Sequence, residues 1–147
     1  MHKALIGSGL AVLLLAAVVA SAVAQPQWDP EAFASENTLQ FLTTGAEEGA
    51  HWSTVWLVVL DGDVYIRLGT RAADRFQSNV TTPYVKVRIA GEDFPSVRAE
   101  PVPGAEDRVA QAMADKYWSD ILVRWMEHPL TLRLRPEAIA AESVAGH

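Results

Sequence analysis

The sequence predicts a mainly β domain with some α-helix, a six-stranded antiparallel split barrel with a long helix before the last strand. Three observations favour this fold. Short runs rich in Val, Ile and aromatic residues alternate with polar residues at the period of a strand. Turn-forming residues separate most of these runs, and one long segment has helical periodicity instead. A closed sheet hides strand edges that would otherwise aggregate, so a barrel is the expected arrangement.

The N-terminus has the layout of an export signal. Residues 4–24 carry no charge and are dominated by Ala, Leu and Val. Ala22 and Ala24 are small residues at the two positions that signal peptidase inspects. We therefore predict a signal peptide over residues 1–24 and a periplasmic or secreted protein with no stable membrane anchor after cleavage. The alternative is an uncleaved anchor, because about 20 apolar residues can span a bilayer.

The composition that follows this signal excludes several classes of function. Roughly 120 residues fit one domain with one core. Without Lys3, 11 basic residues face 18 acidic ones, a formal charge of −7 that disfavours nucleic acid and anionic membranes as partners. The chain has no cysteine, so it has no disulfide, no thiolate nucleophile and no cysteine-ligated metal.

We divide the mature chain into three parts. Residues 25–37 form an N-terminal segment with a short helix, in which Asp29 can cap free N–H groups and Pro30 occupies the first helical position. Residues 38–136 form the split-barrel domain, and residues 137–147 form a flexible tail.

The clearest local signal is a hairpin centred on Asp61-Gly62. This pair readily adopts the positive φ values of a type I′ turn. In the second arm Val64 and Ile66 alternate with polar positions, so Arg67 points away from the face that those two residues use. We interpret the polar segment that follows, residues 69–80, as a loop with one or two helical turns.

Two further strands and the long helix complete the domain. Because Pro95 and Pro101 lack N–H groups, the strand over residues 93–102 is expected to be an edge strand or a bulged strand. Residues 105–127 then predict a helix, since apolar residues recur at every fourth position. Those positions are Val109, Met113, Tyr117, Ile121 and Trp125.

The segment 64–79 resembles the pyridoxamine-phosphate-oxidase-like split barrels, a flavin-reductase-like family that includes deazaflavin reductases and haem-binding relatives. In that family a strand leads into a Ser/Thr-Arg-Lys turn that holds the cofactor phosphate, and an Asn follows. Thr70 and Arg71 match the first two motif residues, and Asn79 matches the Asn. Ala72 stands where the Lys is expected, so the cofactor motif is degenerate.

The resemblance implies a set of cofactor-binding residues. Thr70 and Arg71 would hold the phosphate, and Arg67 and Arg75 could replace the missing cation, since an Arg fork suits a phosphate at least as well as a Lys. Trp56 could stack on the cofactor ring. The alternatives are that these arginines are solvated surface charges and that Trp56 belongs to the core or to a dimer interface.

The implied function is that of an exported homodimer that binds flavin mononucleotide (FMN) or a deazaflavin and acts as an oxidoreductase. No catalytic side chain is identified, so the sequence leaves open whether the chain is an enzyme. The alternative is a non-catalytic domain that binds a lipid or a haem. His51 and His128 are the candidate haem ligands, although the histidines are too dispersed for a protein-ligated metal site.

Overall fold

The computed structural model describes residues 26–117 and 128–137. The predicted signal peptide and most of the predicted tail lie outside the described residues. Three helices and six strands follow one another along the described chain. They are α1 (Pro30–Phe33), β1 (Thr38–Gly45), β2 (Gly49–Leu60), β3 (Asp63–Leu68), α2 (Thr70–Asn79), β4 (Tyr84–Ile89), β5 (Glu92–Glu100), α3 (Glu106–Lys116) and β6 (Leu130–Pro136).

The six strands form a closed antiparallel barrel in the order β1-β2-β3-β6-β5-β4. Pairing of β1 with β4 closes the sheet, with Phe41 opposite Val87. The predicted six-stranded antiparallel barrel is therefore confirmed. Its interior is filled by inward-facing apolar side chains from every strand, as the alternation in the sequence requires. The fully buried members include Leu39, Phe41, Leu57, Val64, Ile66, Leu68, Val87, Ile89, Val97, Leu132 and Leu134.

The hairpin between β2 and β3 has the predicted turn. Asp61 and Gly62 have φ angles of 50° and 77°, both in the left-handed region that a type I′ turn requires. Val64 and Ile66 face the barrel interior, whereas Tyr65 packs on the outer face of the barrel. Because Arg67 is two residues beyond Tyr65, it shares that outer face, as predicted.

Strand β5 is bulged but is not an edge strand. It pairs with β4 on one side and with β6 on the other, which closure of the barrel requires. The register between β4 and β5 shifts between Val85 and Val87, and residues 95–96 lie in the resulting bulge. Pro95 therefore occupies a position where a missing N–H does not interrupt the ladder.

The prediction of a loop over residues 69–80 is wrong in one respect. Thr70–Asn79 is a continuous ten-residue helix, α2, rather than one or two turns in a loop. Ala73 is buried, and Phe76 and Val80 pack beside it against the barrel core. These three positions recur at helical spacing, but the polar residues between them hid the short apolar stripe.

Helix α3 covers the outside of the barrel. Val109 and Met113 are buried against Val58 and Tyr65, which forms a second apolar cluster outside the barrel. The described helix ends at Lys116 because Tyr117 has non-helical angles, φ −118° and ψ 69°. The rest of the predicted helix, with Ile121 and Trp125, lies outside the described residues. Within the described ranges, no helix is long and apolar enough to cross a membrane.

Candidate functional site

A groove opens where β2 and β3 stop pairing with each other. They pair near the turn, from Leu60↔Asp63 to Leu57↔Ile66. Beyond that point the rest of β2 stays with β1, while β3 continues beside β6 with Arg67 opposite Thr131. A groove of about 880 Å³ lies at this split. It is lined by His51, Trp52, Ser53, Thr54, Val55 and Trp56 of β2, Arg67 of β3, Gly69, Thr70, Arg71, Ala72 and Arg75 at α2, and Met113 and His128.

All five residues predicted to bind a cofactor line this groove. Trp56 comes from β2, Arg67 from β3, and Thr70, Arg71 and Arg75 from α2. The divergence of β2 from β3 makes the space between them, and α2 begins directly after β3 at the same place. The structure thus brings together residues from three elements that the sequence only places near one another.

The N-terminus of α2 faces the groove without an internal cap. Gly69, the N-cap residue, supplies no side chain, and the first turn contains no acidic residue. The first intrahelical bond runs from the Ala73 N–H to the Gly69 carbonyl at 2.9 Å, so the N–H groups of residues 70–72 precede it. These groups and the helix dipole give this end partial positive charge, which favours an anion.

Two arginines add full charges near this helix end. Arg71 is exposed, and among the described residues it takes part in no ion pair. Arg67 is half-buried in the groove wall. With the Thr70 hydroxyl, the first turn of α2 offers several hydrogen-bond donors to one small region of the groove. This arrangement can bind an anionic group.

The third arginine, Arg75, already has a partner. Its Nε donates to Oε1 of Glu48 at 2.9 Å and lies 3.3 Å from Oε2. Ala72, at the position of the family's Lys, packs against the barrel core and carries no charge. The groove therefore contains three guanidinium groups, of which Arg75 is paired with a carboxylate.

Trp56 provides an aromatic surface in the groove. It is 38% exposed, and its ring stacks on Tyr117 with 5.0 Å between centroids and 24° between planes. The Tyr117 hydroxyl lies 2.7 Å from the carbonyl oxygens of both Asn37 and Leu57, which fixes the ring. Trp56 is thus held in place while part of its surface stays accessible to a ligand.

The end of α3 is anchored next to this stack. The Lys116 ammonium group donates to the carbonyl oxygens of Glu36 and Leu57, the second at 3.2 Å. Burial lowers the pKa of Lys116, because removal from water disfavours its charged form. Lys116 and Tyr117 together tie α3 to the chain that enters β1, and so support the position of Trp56.

The sequence prediction missed Ser53 and Glu48. Ser53 is only 7% exposed, lines the groove, and its hydroxyl has no hydrogen-bond partner among the described residues. The available signal was a hydroxyl at an inward-facing position of an apolar strand. His51 and His128, considered only as haem ligands, both line the groove. Within the described part of the chain, no group of three or more metal-ligating side chains occurs.

Comparisons with known proteins identify the fold. No family model matches the chain, and no curated protein matches it. Among solved structures it is similar to HutZ, the haem storage protein from Vibrio cholerae, with 19% identity, a TM-score of 0.54, and coverage of 74% of this chain and 88% of HutZ. It is also similar to the F420-H2-dependent reductase FDR-A, with 18% identity, a TM-score of 0.49, and coverage of 68% and 95%. In fold, this chain is a split β-barrel.

Proposed function

We propose that the groove binds FMN or a deazaflavin, with the phosphate at the N-terminus of α2 and the ring against Trp56. One observation carries this proposal. The uncapped first turn of α2, the Thr70 hydroxyl and the guanidinium groups of Arg67 and Arg71 line the same groove. Fold alone does not specify a ligand, so the proposal depends on these residues.

The residues fit a phosphate group. A phosphate dianion needs several fixed donors, and backbone N–H groups at a helix N-terminus together with an Arg fork are the donors that proteins commonly use. The absence of Lys at Ala72 leaves one cation fewer than the family motif, and Arg67 is the cation from β3 that compensates. A groove of about 880 Å³ is also within the size range of cofactor sites.

We assign a reductase role to the protein when its cofactor is bound. Such a cofactor supplies hydride or electron transfer when bound, and the protein supplies binding, orientation and electrostatics. In this chain Trp56 would orient the ring and the first turn of α2 would fix the phosphate. In this assignment the cofactor supplies the chemistry and the protein binds it, which is consistent with a groove lined mostly by side chains that can bind a ligand.

The proposal places the protein outside the cytoplasm as a homodimer. The uncharged segment of residues 4–24 and the Ala22 and Ala24 pair support export. The exposed part of Trp56 supports a second subunit that covers the groove.

A second candidate is a non-catalytic haem-binding protein, and His51 favours it. The His51 Nδ1 lies 3.5 Å from Oε1 of Glu48, and a carboxylate in this position orients an imidazole so that Nε2 can act as a ligand. Arg67 and Arg71 would then bind the propionates. HutZ, which shares the fold, is described as a haem storage protein.

Ligand titration separates the two candidates. Protein purified after export is titrated with FMN and with a deazaflavin, and binding is followed by fluorescence. Arg71→Ala should weaken FMN binding about ten- to one-hundred-fold, because it removes a charge-assisted hydrogen bond. Arg98→Ala is the matched control, since Arg98 is an exposed arginine of β5 that pairs with Glu100 and does not line the groove.

Two results would contradict the flavin proposal. One is the absence of binding of either flavin at concentrations on the order of tens of micromolar. The other is equal loss of affinity in Arg71→Ala and Arg98→Ala. A haem absorption band that His51→Ala abolishes and His128→Ala preserves would establish the second candidate instead.

A further inference from the structure

We propose that Glu48 is a specificity-determining residue of the groove. Its carboxylate forms an ion pair with Arg75, and a phosphate dianion must displace this carboxylate before Arg75 can bind the ligand. The inference rests on the proposed function and concerns the charge of the ligand that the groove accepts. It assigns a role to a carboxylate that lies beside the groove and outside the resemblance to the split-barrel family.

The geometry places Glu48 between two groove residues. Arg75 lies four residues after Arg71 on α2, so the two guanidinium groups project from the same side of the helix. Oε1 of Glu48 accepts from Arg75 Nε at 2.9 Å and lies 3.5 Å from Nδ1 of His51. One carboxylate thus contacts a cation of α2 and an imidazole of β2.

This ion pair is weak enough to be displaced. The side chains of Arg75 and Glu48 are 31% and 37% exposed, and partly exposed pairs contribute little net free energy because water and salt screen them. His51 offers Glu48 a second partner when Arg75 turns to a ligand. Glu48 can therefore contact either Arg75 or His51, and binding of a ligand to Arg75 would leave Glu48 with His51.

The exchange depends on the charge of the ligand. A carboxylate ligand offers Arg75 one charge and two oxygens, which Glu48 already supplies. A phosphate monoester offers nearly two charges and three acceptor oxygens, so it gains more from Arg75 than Glu48 does. Glu48 consequently favours phosphate monoesters over carboxylate ligands such as fatty acids or haem propionates.

Glu48→Gln tests this inference, with Glu47→Gln as a matched control. Both variants remove one negative charge from the same turn, and both residues are exposed, but Glu47 has no ion pair among the described residues. FMN and riboflavin are the probes, because they share the ring and differ in the phosphate. Fluorescence titration gives both affinities, and thermal unfolding without ligand checks that each variant folds.

We expect Glu48→Gln to bind FMN about two- to five-fold more tightly than the wild type, because Arg75 is released. Riboflavin binding should not change, and Glu47→Gln should stay within about 1.5-fold of the wild type for both probes, since salt screens a distant exposed charge. In an Arg75→Gln background, Glu48→Gln should have no further effect on FMN binding.

The outcomes separate this inference from the proposed function. If the wild type binds FMN and Glu48→Gln behaves like Glu47→Gln, the role of Glu48 is refuted and the proposed function stands. An equal gain for riboflavin, or a gain that persists in the Arg75→Gln background, also refutes it. If neither the wild type nor Glu48→Gln binds FMN, both the proposed function and the role of Glu48 fail.

Discussion

The two ends of the β2–β3 pair differ in how their charges are satisfied. At the closed end, the strands meet at the Asp61-Gly62 turn, and Arg108 of α3 donates to Asp61 at 2.8 Å. At the open end, the strands separate, and α2 begins with Thr70 and Arg71. At the closed end Asp61 is paired with Arg108, whereas the open end holds Arg71, which takes part in no ion pair among the described residues.

The N-termini of α3 and α2 show the same contrast. The first turn of α3 carries Glu106 and Asp107, and its last turn carries Lys116, an order that complements the helix dipole. The first turn of α2 has no acid and contains Arg71, and its last turn has no basic residue. A cation at a helix N-terminus is unfavourable for the helix dipole, so Arg71 does not stabilise α2 in the way that Glu106 and Asp107 stabilise α3.

The largest expected effect concerns the closed end. Val109→Ala should lower the free energy of unfolding by about 2–3 kcal/mol, because Val109 is fully buried between α3 and the barrel. Urea denaturation measures the loss, and Gln111→Ala, at an exposed position of the same helix, should change stability by less than about 0.5 kcal/mol. A similar small change in Val109→Ala would show that α3 does not stabilise the barrel.

At the open end, one substitution should stabilise the protein. Thr43, opposite His51 in the β1–β2 ladder, is 2% exposed, and its hydroxyl has no hydrogen-bond partner among the described residues. Thr43→Val keeps the shape and removes the unpaired hydroxyl, so it should raise the free energy of unfolding by about 1 kcal/mol. Thermal unfolding tests this, and a lower melting temperature would mean that the hydroxyl has a partner in solution.

The smallest effect concerns the pair of Arg135 with Asp63, which is compared with the pair of Arg75 with Glu48 at the open end. Arg135 donates to Asp63 at 2.8 and 3.0 Å, and this hydrogen bond holds the pKa of Asp63 below its ordinary value. Because folding lowers the pKa of Asp63, its ionised carboxylate stabilises the fold at pH values above the pKa that Asp63 has in the unfolded chain. This stabilisation is lost as the pH falls through the pKa that Asp63 has in the folded protein. Asp63→Asn should therefore cost less than about 1 kcal/mol at neutral pH.

Acid titration of stability provides the check. From about pH 5 downward, the wild type should lose more stability than Asp63→Asn, because only the wild type has this carboxylate to protonate. Parallel curves would show that the pair at the closed end contributes nothing. FMN affinity should not change in Asp63→Asn, in contrast to Glu48→Gln at the open end.

Local patterns predicted the barrel well and the groove less well. The alternation around Val64 and Ile66 and the positive φ values at Asp61 and Gly62 follow from steric rules that act over a few residues. Helix α2 was underestimated because its contact with the core comes from Ala72, Ala73 and Phe76, which stand among polar neighbours. Its apolar stripe is too short to stand out in the sequence.

The residues predicted to bind a cofactor all line one groove, but the sequence did not indicate their partners in the folded chain. The motif matched Thr70 and Arg71, Arg75 was a candidate for the missing cation, and the structure puts all three in one groove. The pairing of Arg75 with Glu48 joins residues 27 positions apart, and no periodicity in the sequence encodes such a contact. Ser53 was missed for a related reason, because a single polar residue in a strand gives no sign of whether its hydroxyl is satisfied.

The sequence by itself determined the strands, the Asp61-Gly62 turn and the absence of any thiol chemistry, because these depend on residue type and on neighbours within a few positions. Only the tertiary structure decided where β2 leaves β3, and therefore where the groove opens. Past the point of divergence, β2 stays paired with β1 up to Trp56 and β3 stays paired with β6 at Arg67, each through the strand edge that faces away from the other. The divergence therefore depends on the closure of the whole barrel, which no local segment contains.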